Sequence, residues 1–349
     1  MIRMRSSLPR VLVHEYVTGG GWPARDLPRG LAAEGLAMLR AVLNDFRRWG
    51  GATVIATRDV RLAGVNLCAD RIVNLRHEEY LRTLNDLAAE ADAVLVVAPE
   101  SDGVLARLSA LVEKRGKLLL GSSTESVSIA GDKWDCFRRF AENRLPTPRT
   151  RRVSCADALA AADEFGFPLV VKPIDGVGCE GVSMVSDRSS LQPALDLLHP
   201  RPESILIQQY IRGTHASVSL LVAETGVLPL SLNAQTIGVG APFTYRGGTV
   251  PLDHMQRDLA FEYAERAVCL VPGLRGYVGV DMVLTEKECY TIEINPRLTT
   301  SYVGLSRVID INLAEAVWRA CSDGALPRKI ILSGRASFNK EEFSAPGLV

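Results

Sequence analysis

The sequence predicts an α/β domain followed by an α+β region made of two lobes, and three observations carry that reading. Through the first third of the chain, apolar strands alternate with amphipathic helices. A glycine-rich stretch, "DGVGCEG", then lies between two short strands instead of between a strand and a helix. Beyond Gly213, strands follow one another closely, as antiparallel pairs do. At 349 residues the chain exceeds one ordinary core, and the divisions fall at 1–125, 126–212 and 213–330, with a tail at 331–349.

Taken in order, "RVLVHEYV" reads as a strand and "LPRGLAAEGLAMLRAVLNDFRRWG" as an amphipathic helix stopped by Gly50 and Gly51. "ATVIAT" is a strand, "HEEYLRTLNDLAAE" a helix, "ADAVLVVAP" a strand, "SDGVLARLSALVEKRG" a Ser-capped helix and "KLLLGS" a strand. Such βαβ alternation predicts a small parallel sheet with helices on both faces. Over 122–132 the pattern lapses into polar and small residues, and a new unit opens with "GDKWDCFRRFAENRLPTP", in which 145–148 reads as a turn. From Arg151 the order is strand, helix ("CADALAAADEFG"), strand ("FPLVVKP"), glycine loop, strand ("GVSMVS"), helix and strand ("SILIQQYI"). After Gly213 come the antiparallel strands "ASVSLLVA" and "GVLPLSLN", a long loop over 237–252, the helix "QRDLAFEYAERAVCLV", and a hairpin from "YVGVDMVL" to "CYTIEINP". The tail contains a weak segment, "GRASFNKEEFSAPGLV", and the chain has no internal repeats or low-complexity tracts.

Composition excludes several classes of function. Forty basic residues balance 40 acidic ones, so no global field draws the chain to nucleic acid or to anionic lipid. No apolar run approaches the roughly 20 residues of a membrane span. The 7 cysteines are scattered without a CxxC pair, which argues against zinc and against a disulfide framework. The N-terminus has only a short apolar run before His14 and Glu15, too short for a signal-peptide core, so a reducing cytoplasm is the expected location.

Gly176, Gly178 and Gly181 have the spacing GxGxxG. A dinucleotide fingerprint needs a helix directly after the loop, and "GVSMVS" reads as a strand. A glycine loop between two strands is the shape of a flexible phosphate lid, although taken alone it reads as a plain glycine hairpin. Lys172 ends the apolar strand "LVVK", where a lysine is costly unless it meets an anion. Lys133 is a second candidate phosphate ligand, and by itself reads as a solvated surface lysine. "ILIQQYIRG" looks like a strand entering a linker whose backbone can meet an adenine edge, with Tyr210 or Ile211 against the base.

The stretch "TIEINPR" places Glu293 and Asn295 on one strand face, with Ile292 and Ile294 expected to pack behind them. Asp281 interrupts the preceding apolar strand and lies opposite Glu293 if the hairpin loop has three or five residues. Hard oxygens at that density suit Mg²⁺ together with substrate phosphates. For a second substrate, "GVGAPFTYRGGTVPLDH" offers Tyr245 and Arg246, the latter for a substrate carboxylate or simply as a solvated arginine. "EYVTGGGW" offers Glu15 and Trp22 for an amine and an aromatic ring, and a tight turn explains its glycines equally well.

Lys133, Lys172 with its loop, "QQYIRG", Asp281 and "EINPR" in this order resemble the ATP-grasp ligases, over about 133–319, and the βαβ unit is similar to the domain that usually precedes them. The resemblance implies an ATP-grasp fold, two α+β lobes enclosing ATP. It implies that Lys133, Lys172 and the lid hold phosphates, and that Gln208, Gln209, Tyr210, Ile211 and His215 surround adenosine. Asp281, Glu293 and Asn295 would hold two metal ions, Mg²⁺ with Mn²⁺ as an alternative, and Arg297 would act with Lys172 in catalysis by steadying a phosphorylated intermediate. Many members carry acidic residues where this chain has Gln208 and His215, which leaves the ribose contact and nucleotide preference open. "HEYVTGGG", "GTHASVSLL" and "NPRLTTSYVGL" further resemble the tyramine-glutamate ligase group of methanofuran biosynthesis. The implied partners are then glutamate and an aromatic amine, tyramine or tyrosine, joined through an acyl phosphate, in a protein free to form a homo-oligomer. Another acid/amine pair, or a nucleotide-binding subunit without catalysis, are the alternatives.

Overall fold

The computed structural model describes residues 8–198 and 202–340. Its N-terminal part contains strands β1 (Arg10–Glu15), β2 (Thr53–Asp59), β3 (Arg71–Leu75), β4 (Ala93–Val97) and β5 (Leu118–Leu119), with helices α1 (Arg29–Trp49), α2 (Tyr80–Glu90), α3 (Val104–Lys114) and α4 (Thr124–Gly131). The strands form one parallel sheet in the order β3-β2-β1-β4-β5. Val11, Leu12 and Val13 are fully buried, as the central strand of a sheet covered on both faces must be. Helix α1 buries Leu39, Val42, Leu43 and Phe46 and stops at Gly50, whose φ of 65° lets its N–H return to the Phe46 carbonyl.

Two elements here differ from expectation. The strand "RIVNL" was not foreseen, because its polar alternation is that of a half-exposed edge. The stretch 122–132, expected to be irregular, contains α4, capped by the Ser123 side chain on the Ser126 N–H. Its small residues hide the helical period.

Helix α5 (Lys133–Glu142) leads into β6 (Thr150–Ser154), α6 (Ala158–Phe165), β7 (Leu169–Lys172), β8 (Ser183–Val185), α7 (Leu191–Asp196) and β9 (Ser204–Gln209). The four strands make an antiparallel sheet ordered β6-β9-β7-β8. Leu169, Val171, Ile205 and Ile207 face α6 and α7 in a core of their own. Strand alternation therefore turns Val170, Lys172 and Gln208 to the opposite face.

The remainder holds β10 (Thr214–Ala223), β11 (Gly226–Gly238), β12 (Thr244–Val250), α8 (Arg257–Cys269), β13 (Gly276–Leu284), β14 (Cys289–Asn295), α9 (Ser301–Val308), α10 (Leu313–Ser322) and β15 (Ala336–Asn339). They form an antiparallel sheet ordered β14-β13-β10-β11-β12-β15. The expected loop at 237–252 is thus mostly strand: β11 runs on to Gly238 and pairs with β12 around a bulge at Arg246. Its glycines and Pro242 obscured the alternation. Part of the expected tail is also ordered, since β15 pairs with β12 from Gly247 to Val250.

One core joins the ends of the chain. Val11, Val13, Leu39 and Phe46 of the parallel sheet and its first helix belong to the same buried cluster as Leu221, Tyr277, Tyr302 and Phe338. Within it the Tyr302 hydroxyl donates to Asp45 at 2.7 Å. Asn312 Nδ2 donates to the Asp45 carbonyl at 2.8 Å. The carboxyl ends of β1 and β4 are thereby fixed against the strands that carry Asp281 and Glu293. Among the described residues, no helix is long and apolar enough to cross a membrane.

Candidate active site

A cleft of about 810 Å³, open mouth included, lies between the two antiparallel sheets. Lys133, Lys172, Gly176, Gly178, Gln208, Gln209, Tyr210, Ile211, His215, Asp281 and Glu293 all line it. Residues foreseen from scattered stretches thus share one cleft. Gly181 lies at the lid's end, and Asn295 and Arg297 stand just beyond the cleft.

The acidic end of the cleft is built by the β13–β14 hairpin. Asp281 sits directly opposite Glu293, yet the connecting loop has four residues, not three or five. The register shifts between Asp281 and Met282, which pairs with Thr291, so Ile292 is the extra residue of a bulge. The bulge also turns Ile292 into the cleft wall instead of packing it behind Glu293.

Burial, followed by repulsion from Glu293, pushes the Asp281 carboxyl above its ordinary range, partly offset by hydrogen bonds from Asn295 and Gln235. The Gln235 contact is 2.9 Å. Burial acts on Glu293 in the same sense, but Lys133 and Lys172 outweigh it and hold that carboxyl below the usual range. Two opposed carboxylates beside an amide oxygen fit a hard divalent ion that keeps water and phosphate as its other ligands. Among the described residues no group of three or more His, Cys, Asp or Glu could hold a metal, which limits the protein's own donors to this small set.

The two lysines are held differently. Lys133 Nζ donates to the Gly176 carbonyl at 2.7 Å and stands 3.5 Å from Glu293 Oε2. Lys172, only 3% exposed, has no hydrogen-bond or ion-pair partner among the described residues. Burial brings its pKa down to about 8. An ammonium kept dry and unpaired is costly until an anion arrives.

The lid between β7 and β8 turns on Gly176, Gly178 and Gly181 with φ of 126°, 62° and 68°, and Cys179 joins them at 69°. Only glycine adopts such angles cheaply. A strand follows the loop, so the GxGxxG spacing lacks the helix that a dinucleotide fold requires. At the opposite end, Gln208 Nε2 donates to Thr150 Oγ1 at 2.8 Å. That bond leaves the Gln208 amide oxygen as the free acceptor. His215 stands edge-on to Phe243, and burial lowers its pKa.

Three expected substrate residues fare unequally. Glu15 is committed to the turn after β1, where it accepts from the Val17 N–H and from both the N–H and the hydroxyl of Thr18, so it is not open to a substrate amine. Tyr245 bonds Thr300 at 2.7 Å, in the segment that follows β14. Arg246 is exposed and has no carboxylate partner among the described residues. Arg297 is gripped by a residue that sequence reasoning missed: Glu100 Oε1 lies 3.0 Å from its Nε, and Oε2 3.1 Å from Nη2. Its Nη1 donates to the Leu298 carbonyl. The usable signal was position, because Glu100 follows the carboxyl end of β4, where parallel sheets present their ligand-facing loops.

The model for the ATP-grasp domain matches residues 130–301, and that for the pre ATP-grasp 3 domain matches residues 52–127. The chain belongs to the ATP-grasp family. Tyramine–L-glutamate ligase of Methanocaldococcus fervens is 30% identical over 92% of this chain and 97% of that protein. The enzyme of the same name from Methanocaldococcus jannaschii is 30% identical over 92% of both. Among solved structures, an ATP-grasp superfamily protein from Archaeoglobus fulgidus superposes with a TM-score of 0.71 at 26% identity, covering 95% of this chain and 92% of that one. An L-amino acid ligase from Bacillus licheniformis, at 18% identity and a TM-score of 0.67 over 91% of this chain and 75% of that one, shares the fold. The protein is an ATP-dependent ligase of the ATP-grasp family, similar to the tyramine–glutamate group, with the ATP-grasp fold behind a pre-ATP-grasp domain. As a carboxylate–amine ligase it acts on small molecules, and its family binds ATP with a divalent metal ion.

Proposed function

We propose that this ATP-grasp ligase joins the γ-carboxylate of glutamate to an aromatic amine, tyramine or tyrosine, in the assembly of a methanofuran-type cofactor in the cytoplasm. The observation that carries the ATP-driven chemistry is Lys172, its ammonium buried and unpaired in the cleft that also holds the opposed carboxylates Asp281 and Glu293. The substrate pair rests on the likeness to the two tyramine–L-glutamate ligases.

In this reading the Gln208 amide oxygen and the main chain of Gln209, Tyr210 and Ile211 take the adenine edge, with His215 near the ribose. Lys133, Lys172 and the lid N–H groups take the phosphate oxygens. Asp281, Glu293 and Asn295 hold Mg²⁺, which when bound offsets charge on the transferring phosphoryl group. A γ-carboxylate oxygen attacks the γ-phosphorus, ADP leaves, and an acyl phosphate forms. The neutral amine then attacks the acyl carbon, phosphate leaves, and the amine loses a proton as the amide forms. Arg297, steadied by Glu100, faces the acyl phosphate; Tyr245 and Arg246 line the side from which substrate enters. Closure of the lid excludes water that would hydrolyse the intermediate.

The test is phosphate release from ATP with glutamate paired against tyramine, tyrosine and other amines, with products weighed by mass spectrometry. A γ-glutamyl amide formed only when both partners are present is the expected result. Product from another acid, with none from glutamate, would overturn the substrate assignment. Nucleotide binding without any dependence on acid and amine would overturn catalysis itself.

A further inference from the structure

A second charged pair lies beside the cleft and has no part in the chemistry above. Glu34, on α1, is 9% exposed, and the Nζ of Lys340 stands 2.5 Å from its Oε1. Lys340 directly follows β15, close to the end of the chain. It reaches Glu34 across Gly30, one helical turn away, where a Cβ would meet the Lys340 Cε at 2.8 Å. Sheet register sets Asn339, the residue before Lys340, beside Gly247, and Gly247 beside Thr236, which stands between the cleft-lining Gln235 and Ile237. Tyr245 and Arg246 precede Gly247 on the same strand, and the Tyr245 hydroxyl bonds Thr300 at 2.7 Å. The carboxylate therefore lies at the margin of the cleft near Tyr245 and Arg246, the side from which substrate enters in the ligase reading.

We propose that Glu34 receives the α-ammonium of the amino-acid substrate, and that Lys340 holds that place in the substrate-free protein. This rests on the ligase reading above. A lysine ammonium and an α-ammonium present the same chemistry, one positive charge with three donors. The acceptor amine is the poorer occupant, because it must offer a neutral lone pair to the acyl carbon. An α-ammonium keeps its charge through both steps and needs a permanent counter-charge. Glu15, next to His14 at the end of β1, cannot serve, since its oxygens are taken by Val17 and Thr18 in the turn that follows.

The experiment measures phosphate release by the full chain, with ATP and amine saturating, using L-glutamate or glutarate, which lacks the ammonium. Wild type should strongly prefer glutamate. Glu34→Gln should raise KM for glutamate about 100-fold, in line with the loss of a buried charged hydrogen bond. KM for glutarate and for ATP should stay near wild type. Lys340→Met, which removes the competing ammonium, should lower KM for glutamate. Equal losses on both acids, or matching falls in Tm in the two variants, would make the pair a clasp between α1 and the end of the chain and overturn the inference. A wild type that uses glutarate as well as glutamate also overturns it, while leaving the ligase intact. If another amino acid is the substrate, that acid and its deamino analogue replace the pair of probes with the same expectations. A wild type that releases phosphate with no acid and amine at all removes the ligase reading, and this inference with it.

Discussion

The glycine loop between β7 and β8 and the β13–β14 hairpin both line one cleft, and they are built in opposite ways. Between β7 and β8 the chain takes a positive φ at Gly176, Gly178, Cys179 and Gly181, and at Gly178 nothing lies within 4 Å of where a side chain would stand. The β13–β14 hairpin sits on Val278, Val280, Met282 and Ile294, all almost fully buried against α8 and α5. The lid holds little and can move; the hairpin cannot move and therefore can concentrate charge. Opposed carboxylates are tolerable only where the backbone beneath them is over-determined by packing. Function here divides between a stiff electrostatic floor and a pliant roof.

The largest expected effect belongs to the floor. Glu293→Gln should lower phosphoryl transfer by about three orders of magnitude, in keeping with loss of a metal ligand at a charge-stabilising site, while ATP binding stays measurable. Because Lys133 and Lys172 hold the Glu293 carboxyl below its usual range, losing that charge gives up more than the relieved repulsion with Asp281 returns, and Tm in the absence of Mg²⁺ should hold or fall. Normal turnover by this variant would reduce the hairpin to a wet strand face and erase the contrast.

Next comes Lys172. Lys172→Ala should weaken ATP binding by about 100-fold, as expected for a charge-assisted contact made in a dry site, and calorimetric titration reads this directly. Wild-type affinity would sink its assignment. Lys172→Met carries a pH signature. Its folded pKa, about 8, lies below the ordinary 10.5, so the protonated lysine costs stability in the nucleotide-free protein below about pH 8. That cost fades as pH rises toward 10.5. The variant should therefore exceed wild type in Tm at pH 7 and lose the advantage in alkaline buffer, and an advantage that persists there would contradict the linkage.

Asn295→Asp should be milder than Glu293→Gln at saturating Mg²⁺, since it keeps an oxygen and adds a charge the cation can offset. The reverse order in steady-state rates would mean that Asn295 acts through its hydrogen bond to Asp281 instead. The smallest effect is expected in the roof. Gly178→Ala meets no neighbour and pays only for its φ of 62°, about 1 kcal/mol, so turnover should fall severalfold with Tm lowered by no more than about 2 °C. ATP should protect 175–181 from protease, and equal cleavage with and without it would remove the lid from the comparison.

The same contrast explains what could be read in advance. Asp281 and Glu293 were legible because a charge inside an apolar strand breaks a period of two, and Lys172 because it falls on the face opposite Val171. The bulge at Ile292 was not, since two adjacent isoleucine-flanked positions look identical whether or not one is extra. Helix α4 and strand β12 were hidden by small residues and glycines that carry little hydrophobic signal. Glu34 and Glu100 were invisible for a different reason. Each acts on a residue roughly 200 or more positions away, Lys340 and Arg297, and nothing local marks such a pairing.

Strand β8 is three residues long and lies at the margin of the central sheet. Its outward main-chain groups are nevertheless occupied: Met184 N–H donates to the Gly240 carbonyl, and the Phe243 N–H donates to the Val182 carbonyl, each at 2.7 Å. The tip of the β11–β12 hairpin thus caps a raw sheet edge that would otherwise be a template for pairing with another molecule. Any opening of the lobes wide enough to part these two bonds would unmask that edge. Self-association should then track how often the molecule gapes, and a nucleotide that keeps it shut would act as a solubility factor as much as a substrate.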